Sequence, residues 1–416
     1  MSKTLKIVSL NSLTKRVKVG FVGTCEKYYC SKEDGFPIIR TTDLIDNGID
    51  FSNLKYITKG FYNKEKKSQL NEGDLLIARH GDNGKAKIYK KKFPAQALNV
   101  VIIEPNQDKM SSYLLKCFFE TSFVRNQILN SSSGSVQNVV NTKIINDLLI
   151  PISSDIEYKR MSKILENLEY KIELNNQINQ KLELMAKTLY DYWFVQFDFP
   201  DIDGKPYKSS GGKMVYSEEL KRGIPLGWEI KTIKDIATII MGQSPKSISY
   251  NNEKKGMPLI NGASDYLNGS LMARTYTTAP TRTCKKDDLV FCIRATIGKL
   301  TYAEENFCIG RCVASVRVND KKMDEILFYT LLQEIERFKI HAIGSIIRGI
   351  TKDDLRDSYI VLPQYDYIEK FHAISFPTFS KLRANKRENQ KLTQLRDWLL
   401  PMLMNGQVGL NEKNKG

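Results

Sequence analysis

The sequence predicts an α+β protein built twice over: two similar mixed α/β modules alternate with two long helices packed as an antiparallel, coiled-coil-like pair. Three observations predict it. Asn179-Gln180-Lys181-Leu182 returns unchanged as Asn389-Gln390-Lys391-Leu392, 210 residues on in a chain of 416. Asp74-Leu75 with Gly84-Lys85 returns as Asp288-Leu289 with Gly298-Lys299 at a step of 214, and Gly134-Ser135 returns as Gly344-Ser345 at 210. From Glu157 to about Phe197 there is neither Gly nor Pro. Landmarks kept in one order at so long a period mark a tandem of two like units, not a solenoid of about 20–50-residue repeats.

The expected order is a first module over 1–155, a central helix over 156–200, a linker and second module over 201–365, and a C-terminal helix within 366–416. Each module opens with strand-like runs rich in β-branched and aromatic residues. Asp74-Leu75-Leu76-Ile77-Ala78 and Val100-Val101-Ile102-Ile103 lie in the first, Leu289-Val290-Phe291-Cys292-Ile293 and Val313-Ala314-Ser315-Val316 in the second. Gly and Asn at Gly81-Asp82-Asn83-Gly84 and Asn261-Gly262 punctuate them as turns. Helices are expected near 111–129 and 323–340, the latter with Leu327, Leu331, Ile335 and Phe338 on one face.

The central helix has a heptad-like seam: Leu165, Leu168, Ile172, Asn175, Asn179, Leu182, Ala186 and Leu189. Some 40 residues at about 1.5 Å each make a rod of roughly 60 Å. The second rod, expected near 378–404, places Leu382, Asn385, Asn389, Leu392 and Leu399 at the equivalent positions, with Pro377 and Pro401 as breakers near its ends. Asn on a helix edge is ordinary polar padding. Its recurrence at matching seam positions favours Asn175, Asn179, Asn385 and Asn389 as buried pairs that set register, at some cost in stability. Two rods separated by a compact domain must return on each other, so an antiparallel pair holding inverted modules at its ends is expected.

Composition narrows the function. A hydrophobic content of 41 % suits packed globular protein, and no apolar run approaches a membrane span. The first residues lack the apolar core of a secretion signal, and the seven cysteines are odd in number, so reduced thiols in a cytoplasm are expected. The net charge is +16, of which residues 1–155 contribute +8 and residues 201–365 contribute +5. Such an excess on both modules serves solubility or a polyanionic partner, and the repeat has to decide between them.

No catalytic constellation stands out. His80, His341 and His372 are isolated in sequence, and Cys25/Cys30 and Cys308/Cys312 lack zinc-site spacing, so no metal site is expected. Gly81-Asp82-Asn83-Gly84-Lys85 is too short for a phosphate-binding loop, and Ala86 stands where the magnesium-binding hydroxyl belongs. A Rossmann Gly-x-Gly-x-x-Gly and the Asn-Pro-Pro-aromatic run of base-flipping amino-methyltransferases are both missing. Pro200-Asp201 with Asp203-Gly204-Lys205 is faintly nuclease-like, but carboxylates crowded into six residues read better as a linker.

The candidates for nucleic-acid contact are turns shared by the modules. In the first, Arg79, His80, Asn83 and Lys85 crowd the turn after a strand, with Lys87, Lys90, Lys91 and Lys92 beyond; in the second, Arg294, Thr296 and Lys299 match them. The turn Ser131–Asn138 matches Gly344–Arg348 and offers Gln137, Asn138 and Arg348. Lysines neutralise phosphates, and arginine reads guanine through two parallel hydrogen bonds.

The chain resembles the specificity subunit of type I DNA restriction-modification systems. The likeness is carried by Leu174–Ala186 running into Tyr190-Asp191-Tyr192-Trp193-Phe194-Val195, by Ile224-Pro225-Leu226-Gly227-Trp228 followed by Gly242-Gln243-Ser244-Pro245, and by the run Leu399–Gln407. The resemblance implies that each module is a target-recognition domain reading one half of a bipartite double-stranded DNA site. It implies that the helix pair sets the spacing and docks two methyltransferase subunits acting on adenine, with a motor-nuclease subunit joining them. S-adenosylmethionine, ATP and Mg²⁺ are then expected on those partners and no cofactor on this chain. The competing readings are a self-contained nuclease or methyltransferase, and a coiled-coil adaptor that binds only proteins.

Overall fold

The computed structural model describes residues 6–45, 48–79, 86–132, 139–152, 155–267, 269–342 and 349–404. They fold as two compact units, residues 1–173 with 390–416 and residues 174–389.

Two sheets organise the first unit. A four-stranded antiparallel sheet runs in the order Ala86–Ile88, Leu75–Ala78, Val100–Pro105, Thr14–Val19. A five-stranded sheet runs Tyr29–Cys30, Lys55–Thr58, Gly35–Arg40, Ala95–Leu98, Gln69–Leu70, and its Gly35–Arg40 and Ala95–Leu98 strands are parallel. The run Val100-Val101-Ile102-Ile103 is apolar at every position because both of its faces are covered. Successive side chains point to opposite sides of a strand. Val101 and Ile103 therefore join Leu75, Ile77 and the helix Ser112–Glu120 in one core, while Val100 and Ile102 join Leu76, Ala78 and Tyr89 in another.

The second unit repeats both sheets strand for strand. Its four-stranded order is Gly298–Tyr302, Leu289–Cys292, Val313–Val318, Ala237–Met241. Its five-stranded order is Tyr250–Asn251, Thr275–Thr277, Met257–Ile260, Phe307–Ile309, Thr283–Cys284, again with one parallel pair at its middle. Leu289, Phe291, Ala314 and Val316 face one core, and Val290, Cys292 and Val313 the other. The paired landmark Asp-Leu has a physical cause. The Asp74 carboxylate accepts the Asn71 N–H at 2.9 Å and Asp288 accepts that of Lys285 at 2.7 Å, closing a tight turn before the strand. Each Asp carbonyl then accepts an N–H from across the hairpin, of Tyr89 and of Ala303, both at 2.8 Å.

Helix ends differ from expectation in three places. The predicted 111–129 helix is two, Ser112–Glu120 and Ser122–Ser132, because Thr121 turns extended and its hydroxyl donates to the Phe118 carbonyl at 2.6 Å. The first long helix, Asp155–Tyr190, passes into a π turn over Asp191–Val195. That wider turn puts the adjacent Trp193 and Phe194 both inside, at 3 % and 4 % exposure. The second long helix begins at Tyr365 and runs unbroken to Met404, so Pro377 does not mark its start. Proline frees the carbonyl four residues back, here Ala373, and both residues are exposed, so water satisfies it. On the opposite face Phe371, Ser375, Phe379 and Leu382 are buried, and the helix continues through the proline.

Residues 197–228 are not a loose linker. Phe199 stacks between Tyr207 and Trp228 at centroid distances of 4.7 and 4.8 Å, and Asp198 accepts the Ser209 N–H at 2.7 Å. A ribbon of Met214–Ser217 with Arg222–Pro225 completes the segment. The nuclease-like string closes on itself, the Asp201 carboxylate accepting the N–H groups of Asp203 (2.9 Å) and Lys205 (2.8 Å).

Candidate nucleic-acid interface

In the first unit the strand Leu75–Ala78 delivers Arg79 to the sheet end. Its carbonyl accepts the Val140 N–H at 3.2 Å, and its Nε donates to the Val140 carbonyl at 3.3 Å. Val140 is fully buried and stands two residues after Asn138 in the sequence. Arg79 and Val140, which border the two segments singled out by sequence, therefore meet. His80, Asn83, Lys85, Gln137 and Asn138 lie outside the described residues.

The second unit makes the same junction. Ile293, which follows the strand Leu289–Cys292, accepts the Ile350 N–H at its carbonyl at 2.9 Å. Ile293 stands 214 residues after Arg79 and Ile350 stands 210 after Val140, the steps of the sequence repeat. Arg294, Thr296 and Lys299 are all exposed on this turn. The backbone is held tightly, with Thr296 N–H bonded to the Arg294 carbonyl at 2.7 Å and positive φ at Ala295 (59°), Gly298 (116°) and Lys299 (57°). Left-handed non-glycine residues concentrated in one turn are a strained arrangement of the kind found at working sites. Gly349 lets the Arg294 stem lie flat: a β-carbon there would fall 2.5 Å from Arg294 Cγ. Arg348 lies outside the described residues.

Two of the basic residues are placed elsewhere. Lys87 is a correction: it sits in the strand Ala86–Ile88 opposite Leu76 with only 8 % exposure, so its ammonium is not presented to a phosphate. Lys90 is committed to an ion pair with Glu173. Lys91 lies over the Phe51 ring, 5.2 Å from its centroid, and with Lys92 remains exposed. Sequence reasoning did not single out Lys339, whose ammonium is paired with Glu336 at 2.6 Å. Its ammonium approaches within about 3.1 Å of where a Gly298 β-carbon would stand, at the foot of the Arg294 turn. It stands near the end of the helix Asp324–Ala342.

The seam asparagines pair as the repeat requires. Asn175 Nδ2 donates to Asn389 Oδ1 at 2.8 Å and Asn385 Nδ2 donates to Asn179 Oδ1 at 2.9 Å. Adding 210 to the first donor and subtracting 210 from its acceptor yields the second pair, so a local twofold relates the two bonds. Asymmetry enters at the rim, where Asn175 also donates to Glu388 (2.8 Å) and Asn389 donates to Asn176 (2.8 Å). Within the first unit the rods meet through Glu169, which binds Arg396 at 3.1 Å and accepts the Tyr113 hydroxyl at 3.2 Å. Burial opposes the Glu169 charge, but Lys116 and Arg396 outweigh it and hold the carboxyl below its ordinary range.

A duplicated α+β chain, with one such junction per unit and an asparagine-paired antiparallel helix pair, defines a class of protein built on one scaffold used twice. The profile of the type I restriction modification DNA specificity domain matches residues 7–184 and 225–394, and the chain belongs to that family. It is 26 % identical to a putative type I restriction enzyme MjaX specificity subunit of Methanocaldococcus jannaschii, over 90 % of this chain and 87 % of the relative. The HindI specificity subunit of Haemophilus influenzae is 23 % identical over 89 % of this chain and 94 % of its own length. In fold it is similar to the crystal structure of a type I restriction-modification S subunit from M. genitalium, with a TM-score of 0.62 at 13 % identity, covering 97 % and 96 % of the two chains. No helix among the described residues is long and apolar enough to cross a membrane.

Proposed function

We propose that this chain is the DNA-specificity subunit of a type I restriction-modification complex acting in the cytoplasm. Each unit reads one half of a bipartite duplex site through its paired turns, and the helix pair sets the gap between the halves. Arg294, Thr296 and Lys299, with Arg348, face DNA in the second unit. Arg79 orients the corresponding turn in the first, where His80, Asn83, Lys85, Gln137 and Asn138 are the candidate readers. The chain itself carries out no chemistry. Two methyltransferase subunits dock on the helices and transfer methyl from S-adenosylmethionine to adenine, and a motor-nuclease subunit using ATP and Mg²⁺ completes the complex.

The observation that supports this reading is the repeated junction, Arg79 with Val140 and Ile293 with Ile350. Evolution of two different DNA half-sites needs one scaffold used twice with different loops on it, since loops on a rigid frame carry recognition. The test is methylome sequencing of a host carrying the chain or a chimera in which residues 1–155 come from a relative. The wild type should produce one asymmetric, two-part methylated sequence. The chimera should change one part and leave the other intact. Alteration of both parts, or methyl transfer by the purified chain alone, would defeat the proposal.

A further inference from the structure

The two units share every strand of their main sheets, so an element present in one alone stands out. Between the strands Lys55–Thr58 and Gln69–Leu70 the first unit carries residues 59–68, folded as the helix Lys59–Lys64 and the 3-10 turn Lys66–Ser68. The equivalent connection in the second unit is only residues 278–282, with no helix. The added element is basic: Lys55, Lys59, Lys64, Lys66 and Lys67 are exposed, Glu65 is the sole carboxylate among residues 55–68, and the short connection carries Arg282 alone. None of these five lysines has an ion-pair partner among the described residues, whereas Lys90 and Lys116 nearby in sequence do.

Packing fixes where this element sits. Phe61, 4 % exposed, stacks on Tyr28 at 4.3 Å and meets Phe21 edge-on at 5.0 Å. Phe21 in turn is bonded through its backbone to Ala97 (2.8 Å) and Asn99 (3.0 Å). Asn99 precedes Val100, whose partner across the sheet is Ala78, the residue before Arg79. This run of contacts ties the basic helix to the end of the unit from which the candidate reading turn departs. Ser68 anchors the other side, bonded to the buried Gln96 and to the Glu65 carbonyl.

We propose that Lys55, Lys59, Lys64, Lys66 and Lys67 form a contact to the DNA phosphate backbone that belongs to the first unit alone. It rests on the reading of the chain as a DNA-specificity subunit. Lysines are point charges without the fork that reads a base edge, so this surface adds affinity and salt sensitivity without sequence preference. The two half-sites are then held unequally.

The test uses the full chain assembled with its methyltransferase partner and a duplex carrying its methylated site. Affinity is measured across about 50–200 mM salt for the wild type and for the variant K59Q/K64Q/K66Q/K67Q. Each lost phosphate contact lowers the log–log salt slope by about 0.9. The slope should fall by about 3.6 and affinity at low salt by at least tenfold, with the methylated sequence unchanged. A matching K59R/K64R/K66R/K67R variant should keep the wild-type slope, showing that charge and not folding is at work. A wild-type complex that binds no duplex would overturn the parent reading. A wild-type complex that binds while the glutamine variant keeps its slope, changes the methylated sequence, or loses only its assembly with protein partners would overturn this inference alone.

Discussion

Replacing Asn179 with leucine tests the asparagine lock, because the structure assigns opposite signs to the single and double changes. Asn385 is 1 % exposed; its Nδ2 is bonded to Asn179, and its Oδ1 has no hydrogen-bond partner among the described residues. Asn179→Leu leaves that amide with no partner at either end. An unsatisfied buried polar group costs about 1–3 kcal/mol, only partly offset by the added apolar burial, so a net loss of roughly 2 kcal/mol is expected. For a unit of this size that lowers Tm by about 4–8 °C. Asn179→Leu with Asn385→Leu removes both amides, including the orphan oxygen. The double variant should recover to wild-type stability or gain about 1–2 kcal/mol, because matched apolar replacement of a buried polar pair is neutral or stabilising. The cycle therefore predicts strong non-additivity. Thermal and urea unfolding of wild type, both singles and the double supply the four corners. In the methylome the double variant should show a broadened distribution of gaps between half-sites, since a polar seam residue specifies register at the expense of stability. Equal and additive losses in the two singles, with the double the least stable of all, would refute the reasoning.

Two further outcomes follow from the second unit. Gly349→Ala places a methyl 2.5 Å from Arg294 Cγ and 2.8 Å from the Ile293 carbonyl, so the turn must shift. Methylation should lose fidelity at one half-site by tenfold or more, while the other half-site and Tm change little. Asp324 behaves as a stability sensor of pH. Burial, opposed by Lys321 and Arg383, raises its carboxyl to about 6 from an ordinary value near 3.8. The folded state thus holds a proton that the unfolded chain has released, so this group's contribution falls as pH rises from about 4 to 6 and stays low above it. Asp324→Asn should be more stable than wild type by roughly 2–3 kcal/mol at pH 7 and by little at pH 4, measured as the difference between their unfolding curves.

Several features of the fold could be read from residue order because they follow from local rules. Asp74 and Asp288 recur because a buried turn needs an acceptor for the backbone N–H three residues before it. The seam asparagines recur because each needs a partner one rod away. Misreadings came where a local rule met a longer-range fact. Pro377 reads as a breaker, but it falls on the wet face of a helix whose other face is anchored by Phe371 and Phe379. Lys87 reads as a surface charge, yet it lies in a strand where it and its neighbour Ala86 are both buried. Gly and Pro between residues 200 and 225 read as a linker, but Phe199, Tyr207 and Trp228 had no visible reason to meet until the chain folded.

Duplication and periodicity are properties of a string, and they already specified two like modules and two rods, while the family came from the resemblance of particular motifs. Which residues share a surface was settled elsewhere. Arg79 meets Val140 across 61 positions of chain, and the lysines of residues 55–67 reach the same end of their unit through Phe61, Phe21 and Asn99. No pattern along the sequence encodes such meetings, because they depend on which face of each strand the core has claimed and on which groups remain for the solvent side.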